Sequence, residues 1–249
     1  MKILMVGSGS KGNAVLIASK RTLIQIDMGV PLKRIKQGLE VLGKSKEDIK
    51  AVLITHEHVD HVGTLNLFHE KIPVFASEGT LPNADYQVEP YQPITIGDFN
   101  IVPFPVSHDA ANPMGYLIEA DNQRLGYVTD TGNLTDDALL LLRDSDFFYF
   151  ESNHDLKMLR ESNRPESLKR RIHSKHGHLS NPASAKYMAK LIGPRTKQIF
   201  LAHLSEECNT PETALATYEK LLKEKKVDFS SIQIIPAAQW ELTKGGDLL

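Results

Sequence analysis

Residues 51–64 read AVLITHEHVDHVGT, and this stretch decides the fold class and the chemistry of the chain. Residues 51–54 are apolar and predict a short buried strand. His56 and His58 alternate behind it and can point to one side, whereas Asp60 and His61 lie on the turn that follows. Imidazole and carboxylate groups at this spacing predict ligands for two cations. The alternative is a solvated polar turn whose histidines titrate near neutral pH.

The composition is typical of a globular protein and limits the function classes. The chain has 249 residues, of which 41% are hydrophobic and 24% charged, and a formal net charge of -2. That charge does not indicate nucleic-acid binding, so any such binding must depend on local patches. One cysteine, Cys208, excludes an internal disulfide framework and argues against a cysteine-based zinc site. The sequence shows neither a signal peptide nor a membrane span, so we expect a cytoplasmic protein without a membrane partner.

Short strands and helices alternate along the rest of the chain, which favours one layered α/β domain over residues 1–249. Residues 65–70 read as a short helix with His69 on its surface, and residues 78–93, with three prolines, as an irregular loop. Other helices are predicted from Pro31, over 134–142 and 183–191, and from Thr210. Strands are predicted at 2–6, 14–18, 23–26, 51–54, 74–76, 100–104, 115–118, 124–129, 147–150, 197–201 and 232–235.

Three more candidate ligands follow predicted strands: His108, Asp130 and His203. Strand ends at one edge of a sheet assemble sites in α/β proteins, so these motifs can converge. We predict two sites that share Asp130 as a bridging ligand, one with His56, His58 and His108, the other with Asp60, His61 and His203. Two cations roughly 3.5–4 Å apart can hold a bridging hydroxide as nucleophile.

Asp27 follows a predicted strand and has no obvious basic partner in the sequence. We interpret it as a carboxylate that orients a ligand histidine or the hydroxide. The alternative is an aspartate that only forms the turn before Met28 and Gly29.

The ordered set of motifs resembles the metallo-β-lactamase superfamily. The set comprises Asp27, HxHxDH at residues 56–61, His108, Asp130 and His203. The resemblance implies an α/β fold, a four-layer αββα sandwich, with a dinuclear metal site in the groove between the sheets. It does not settle the substrate, because one fold serves many hydrolases.

Local strings resemble the YycJ/WalJ family over nearly the whole chain. They are SGSKGN at 8–13, THEHVDH at 55–61, SHDAANPMGY at 107–116, TDTG at 129–132, FESNHD at 150–155, GHLSN at 177–181 and LAHLS at 201–205. This family is similar to the branch that includes RNase Z and RNase J, and the resemblance implies metal-dependent phosphodiester hydrolysis. The 73 positions from Asp130 to His203 leave no room for the large cap domain that RNase J-type enzymes insert there.

A basic segment, residues 156–178, indicates a phosphate-bearing substrate. It carries seven lysines and arginines against two glutamates, a local charge of +5, and we predict a short basic helical arm at about 155–180. Arg170 and Arg171 are candidate contacts to a phosphate backbone, although charge runs are often only solvated helix faces. His178 resembles the phosphate-side histidine of RNase Z-like enzymes and would bind the scissile phosphate or protonate the leaving oxygen. Its alternative role is to cap a helix.

Two loops supply the remaining candidate substrate contacts. Ser8, Ser10 and Asn13 belong to a glycine-rich loop that is either a phosphate nest or a plain hairpin turn. The other contacts, Ser152, Asn153 and His154, follow a strand and are equally compatible with a simple strand-to-helix turn. No clustered aromatic stacking platform is evident.

We therefore predict a dinuclear metal-dependent phosphodiesterase that acts on nucleic acid, preferably a DNA exonuclease, with Asp60, His178 and Asp27 as catalytic residues. Zinc, manganese and iron all suit the donor set. One alternative is a thioester, lactam or other small-molecule hydrolase of the same fold. The other is a metal-dependent nucleic-acid-binding scaffold without turnover. DNA is favoured over RNA, and the oligomeric state stays open.

Overall fold

The computed structural model describes residues 1–67 and 72–248. Of the helix expected at 65–70, a single 3-10 turn at Leu65–Leu67 is seen. The rest of that prediction, including His69, lies outside the described residues.

The chain divides into two compact units. The first unit comprises Met1–Pro105, Ala110–Gln123 and Ala238–Leu249, and the second comprises Val106–Asp109 and Arg124–Ala237. The prediction of one domain over the whole chain stays a prediction.

Strands and helices follow one another closely through the described residues. The strands are β1 (Lys2–Gly7), β2 (Ala14–Ala18), β3 (Leu23–Ile26), β4 (Ile49–Leu53), β5 (Val74–Ser77), β6 (Tyr86–Val88), β7 (Ile94–Ile96), β8 (Phe99–Pro105), β9 (Met114–Ala120), β10 (Gln123–Val128), β11 (Phe147–Glu151), β12 (Gln198–Ala202), β13 (Gln233–Pro236) and β14 (Thr243–Gly246). The helices are α1 (Leu32–Leu42), α2 (Val59–Val62), α3 (Asp136–Leu142), α4 (Leu156–Glu161), α5 (Glu166–Ile172), α6 (Asn181–Leu191) and α7 (Pro211–Glu224).

The first unit contains a mixed sheet in the strand order β14-β1-β2-β3-β4-β5-β6. Strand β1 runs antiparallel to β14 and β2, and β3 to β6 run parallel to one another. Strands β7, β8 and β9 of the same unit pair in antiparallel fashion. Because β3 and β4 are parallel neighbours, Asp27 and the histidine motif leave the sheet at the same edge.

Helix α1 covers the first sheet with a narrow apolar face. Ile35, Gly38 and Leu39 are buried, and burial of the two large side chains stabilises the unit by about 1.5–3 kcal/mol each. Gly38 permits close packing, since a Cβ there would lie 3.0 Å from Val6. The helix ends at Gly43, which has a φ of 64°, a conformation that glycine adopts without strain.

The second unit is built on four parallel strands, β10 to β13, in sequence order. Strands β11 and β12 are buried along their whole length, as expected for parallel strands with helices on their faces. Helix α6 packs against α3 and α7. Among the described residues, no helix has the length and apolar character needed to cross a bilayer.

The structure corrects several element predictions. The proline-rich loop at 78–93 includes strand β6, strands β7 and β14 were missed, and the turn expected after His58 is the short helix α2. The three strands have only three or four residues each, and β14 contains Gly245 and Gly246. Such runs are too short and too weakly patterned to produce a periodic signal.

Candidate metal centre

In the first unit the histidine motif gathers three imidazoles after β4. The ring centroid of His56 lies 4.6 Å from that of His58 and 4.0 Å from that of His61. His56 and His61 are buried, and the Asp60 side chain on α2 is 21% exposed. The motif therefore brings its four predicted ligands to one strand end.

The Asp27 carboxylate forms a hydrogen bond with a ring nitrogen of His61. Its Oδ2 lies 2.8 Å from His61 Nδ1, and its carboxylate accepts hydrogen bonds from the Thr55 amide and hydroxyl. Burial raises the pKa of Asp27, and the contacts with His61 and Thr55 oppose that rise. A carboxylate that contacts Nδ1 fixes the orientation of an imidazole, as is common for histidines that bind metals through Nε2. This geometry supports the orienting role that the sequence predicts for Asp27.

The glycine loop, residues 7–13, is built against the histidine motif. The Asn13 amide donates to Asp60 O at 2.8 Å, and Asn13 Nδ2 lies 3.0 Å from His61 Nε2. Gly29 allows this close approach, since a Cβ there would lie 1.6 Å from Asp60 O. Asn13 thus braces the loop from inside, and Ser8 is buried while Ser10 is exposed. Their substrate contacts stay predictions, with Ser10 the accessible member.

In the second unit, candidate ligands follow three of the parallel strands. Asp130 comes after β10, Glu151 ends β11, and His203 comes after β12. Asp130 and His203 have positive φ values of 46° and 54°, and Asp27 in the first unit has a similar value of 56°. Left-handed conformations of such residues are costly and concentrate at functional sites. The backbone is therefore distorted where the ligands leave the strands.

Four side chains of the second unit form a cluster of donors within 4.8 Å of one another, and we call it the carboxylate–histidine cluster: Asp130, Glu151, His178 and His203. Glu151 Oε1 lies 2.8 Å from His178 Nδ1 and 3.0 Å from His203 Nδ1. Asp130 Oδ1 lies 3.3 Å from His203 Nδ1. His108 Nε2 is 3.8 Å from the same oxygen.

Glu151 is the residue that sequence reasoning missed. It is fully buried, and its Oε2 accepts the Thr131 and Leu179 amides at 2.9 and 3.1 Å. Burial alone would raise its pKa, but the charge and hydrogen bonds of His178 and His203 lower the pKa of Glu151. A signal was present, because Glu151 ends an apolar strand in the way that the other candidate ligands follow theirs.

His108 and His178 are placed by a tightly packed turn, residues 173–178. The Gly177 carbonyl lies 3.1 Å from His108 Nδ1. A Cβ on Gly177 would lie 2.2 Å from Arg171 O, and one on Gly132 would lie 2.3 Å from Ser174 O. Burial lowers the pKa of His108, which favours the neutral imidazole that binds metals.

The basic segment forms helices α4 and α5 and is partly neutralised by acids from elsewhere in the second unit. Arg164 pairs with Glu207 at 2.8 Å, and Arg171 pairs with Asp109. These two acids stand outside residues 156–178, so the local charge of +5 falls to +3 (5 minus 2). Arg170 remains exposed on the surface of α5. The charge of residues 156–178 alone overestimates the charge of this surface, because the acidic partners Glu207 and Asp109 lie elsewhere in the sequence.

Burial argues against two of the predicted substrate contacts. Ser152 is fully buried and donates to Asn181 Oδ1 at 2.7 Å. His154 is also buried, and burial and His173 lower its pKa to about 4. Asn153 donates to the His203 carbonyl at 2.9 Å. These residues therefore brace the ligand loops, in line with the strand-to-helix turn that the sequence left open.

Both donor sets fit divalent cations by their chemistry. The first unit offers imidazoles and one carboxylate, and the second offers imidazoles and two carboxylates, a combination that zinc, manganese and iron accept. The assignment of ligands to individual ions stays a prediction.

Residues 26–203 match the model of the family described as "Beta-lactamase superfamily domain". This chain belongs to the beta-lactamase superfamily. The predicted family resemblance and the predicted α/β metallo-β-lactamase fold are thereby confirmed. Asp27 and His203 lie near the two ends of the match.

Within the superfamily, two curated bacterial proteins are similar over most of their length. The chain is 35% identical over 234 residues to Exodeoxyribonuclease YycJ of Bacillus anthracis, with 89% of each chain covered. It is 34% identical over 262 residues to Exodeoxyribonuclease WalJ of Streptococcus pneumoniae, with 98% of this chain and 97% of that protein covered.

Solved structures support the fold alone. YhfI from Bacillus subtilis, a metallo-beta-lactamase fold protein, aligns with a TM-score of 0.74 at 15% identity, with 98% of each chain covered. The short form of human tRNase Z aligns with a TM-score of 0.65 at 13% identity, also over 98% of each chain.

Proposed function

We propose that this chain is a divalent-metal-dependent phosphodiesterase that removes nucleotides from DNA as an exonuclease. The observation that carries the proposal is the carboxylate–histidine cluster, in which buried acids hold His178 and His203 in fixed orientations. The similarity to two bacterial exodeoxyribonucleases, which cover most of this chain, supports DNA as the substrate.

The proposed metal ligands are His56, His58, Asp60, His61, His108, Asp130 and His203. We propose that they hold two divalent ions, with zinc, manganese and iron compatible. Such ions, when bound, lower the pKa of a bound water towards 7 and stabilise charge on a phosphoryl oxygen. Asp27 and Glu151 orient His61 and His203 through their Nδ1 atoms.

His178 is the proposed general acid. Glu151 holds its Nδ1 at 2.8 Å, and the side chain is 20% exposed and so remains within reach of a substrate. The imidazolium donates its Nε2 proton to the leaving oxygen as the phosphorus–oxygen bond breaks, and the Glu151 carboxylate stabilises the imidazolium before that transfer. General acid catalysis of this kind contributes roughly 10²–10⁴-fold.

The polynucleotide backbone is proposed to contact Arg170 and Arg171 on α5, together with Ser10 of the glycine loop. Arg170 is exposed, whereas Arg171 is paired with Asp109 although 57% of its side chain remains exposed. Arg170→Glu should weaken binding of DNA and reduce the slope of log K against log salt by about 1. A small-molecule hydrolase would show no such dependence. Lys220→Glu on α7, another exposed basic helix position, is the matched control.

The direct test supplies the full chain with each metal in turn and follows end-labelled duplex DNA, single-stranded DNA and RNA. We expect mononucleotides to appear from DNA in a chelator-sensitive reaction. Binding of DNA without cleavage under every metal would favour a non-catalytic scaffold. Turnover of a thioester or lactam with intact DNA would assign the fold to small-molecule hydrolysis.

A further inference from the structure

Trp240 is an exposed aromatic side chain beside the glycine loop. It is the only tryptophan in the sequence, and 57% of its surface is exposed. An indole that is so accessible is uncommon on a monomer surface, since tryptophan usually buries most of its area.

Its neighbour Gln239 fixes Trp240 to the loop. The Lys11 amide donates to Gln239 Oε1 and Gln239 Nε2 donates to the Gly12 carbonyl, both at 3.1 Å. Arg34 of α1 donates to the Gln239 carbonyl at 2.8 Å. Three hydrogen bonds therefore hold Gln239, the residue that precedes Trp240, at a defined place.

A positive charge lies beside the indole. The guanidinium carbon of Arg34 lies 5.8 Å from the ring centroid of Trp240, within the range of a cation–π contact. Lys11 and Ser10 are exposed on the adjoining loop. An aromatic face with neighbouring cations is the combination that binds a nucleobase and its phosphate.

The same loop is continuous with the candidate metal ligands of the first unit. The backbone amide of Asn13, one residue beyond Gly12, donates to Asp60 O, and its side chain lies 3.0 Å from His61 Nε2. A nucleotide bound at Trp240 would therefore contact the glycine loop, which also contacts Asp60 and His61 through Asn13.

We propose that Trp240 stacks on an unpaired nucleobase of the substrate strand, while Lys11 and Ser10 contact the adjacent phosphate. The proposal rests on the proposed function, because it names a subsite for the same nucleic acid. The sequence shows no cluster of aromatic residues that could stack on bases. The proposed stacking surface is a single indole, which lies far in sequence from the glycine loop that it adjoins.

Trp240 fluorescence tests the proposal, because no other tryptophan contributes. The metal-loaded full chain is titrated with a phosphorothioate single strand that resists hydrolysis, and with a strand of the same linkages that lacks bases. We expect saturable quenching by the first strand and little by the second. Labelled-strand anisotropy should show weaker binding by Trp240→Ala of roughly five- to a hundredfold.

Two variants keep the result interpretable. Trp240→Phe retains an aromatic face and should restore most of the affinity, and Tyr86→Ala removes another exposed aromatic and should change nothing. Equal quenching by both strands, or unchanged binding by Trp240→Ala, would overturn the subsite while hydrolysis of DNA by the wild-type chain stands. Failure of hydrolysis with base-dependent quenching would instead refute the proposed function alone.

Discussion

At the scale of residues, Glu151 is the most informative side chain. One of its oxygens contacts the Nδ1 atoms of both His178 and His203, and the other accepts two backbone amides. A single buried carboxylate thus orients a proposed ligand and the proposed general acid. Because metal ligands are tuned by such partners, its loss should affect metal binding and turnover together.

Glu151→Gln tests this role with little change in side-chain size. We expect a metal affinity lower by about 10–100-fold and a loss of turnover, since an amide cannot stabilise both imidazoles as a carboxylate does. Affinity is measured by competition with a chelating indicator, and turnover on end-labelled DNA. Glu219→Gln on the exposed face of α7 is the control. Wild-type affinity in Glu151→Gln would refute the orienting role.

His154 should make stability depend on pH. Burial lowers its pKa to about 4 from an ordinary value of 6.5, so the unfolded chain binds the extra proton between those values. Stability is therefore complete above about pH 6.5 and falls as the pH drops towards 4. Between pH 7 and pH 5, His154 alone should lower the free energy of unfolding by on the order of 1–2 kcal/mol.

The measurement compares denaturant unfolding of the wild-type chain and His154→Gln at the two pH values. The wild type should lose more stability on acidification than the variant. Metal release at low pH affects both proteins, so the difference reports on His154. Equal losses in the two proteins would show that His154 is not held neutral in the folded state.

At the scale of elements, the ends of parallel strands position the site. Asp130, Glu151 and His203 each leave the second unit's strands at the same edge, because β10, β11 and β12 run parallel in register. The turn 173–178 then places His178 against Glu151. Its packing depends on Gly177, where a Cβ would meet the carbonyls of Arg171 and Ile172 at 2.2 and 2.3 Å.

Gly177→Ala should therefore displace His178. We expect turnover to fall roughly ten- to a hundredfold, as small misplacements of catalytic groups do, with a measurable loss of stability. Gly43→Ala is the control: its left-handed backbone with open space around it should cost about 1 kcal/mol and leave turnover unchanged. Full turnover in Gly177→Ala would show that the turn tolerates a side chain.

At the scale of the whole molecule, the fold class followed from motifs that are local in sequence. The residues from His56 to His61 are recognisable because their spacing is set by the end of β4 and the short helix α2, and Asp27 because it directly follows β3. Glu151 was missed because its partners are distant in sequence, although its place at the end of β11 was a local indication of its role. The role of Trp240 was missed because the loop that it adjoins is distant in sequence. Strand β14 was missed because a four-residue run rich in glycine lacks periodicity.

The proposed function requires that the predicted histidine and aspartate ligands bind metal and that His178 acts on the substrate. The most direct test measures metal content and DNA hydrolysis together in the wild type, His58→Ala and His178→Ala. We expect His58→Ala to lose both metal and hydrolysis, and His178→Ala to keep its metal but lose hydrolysis. Full metal content and full hydrolysis in His58→Ala would contradict the proposed function.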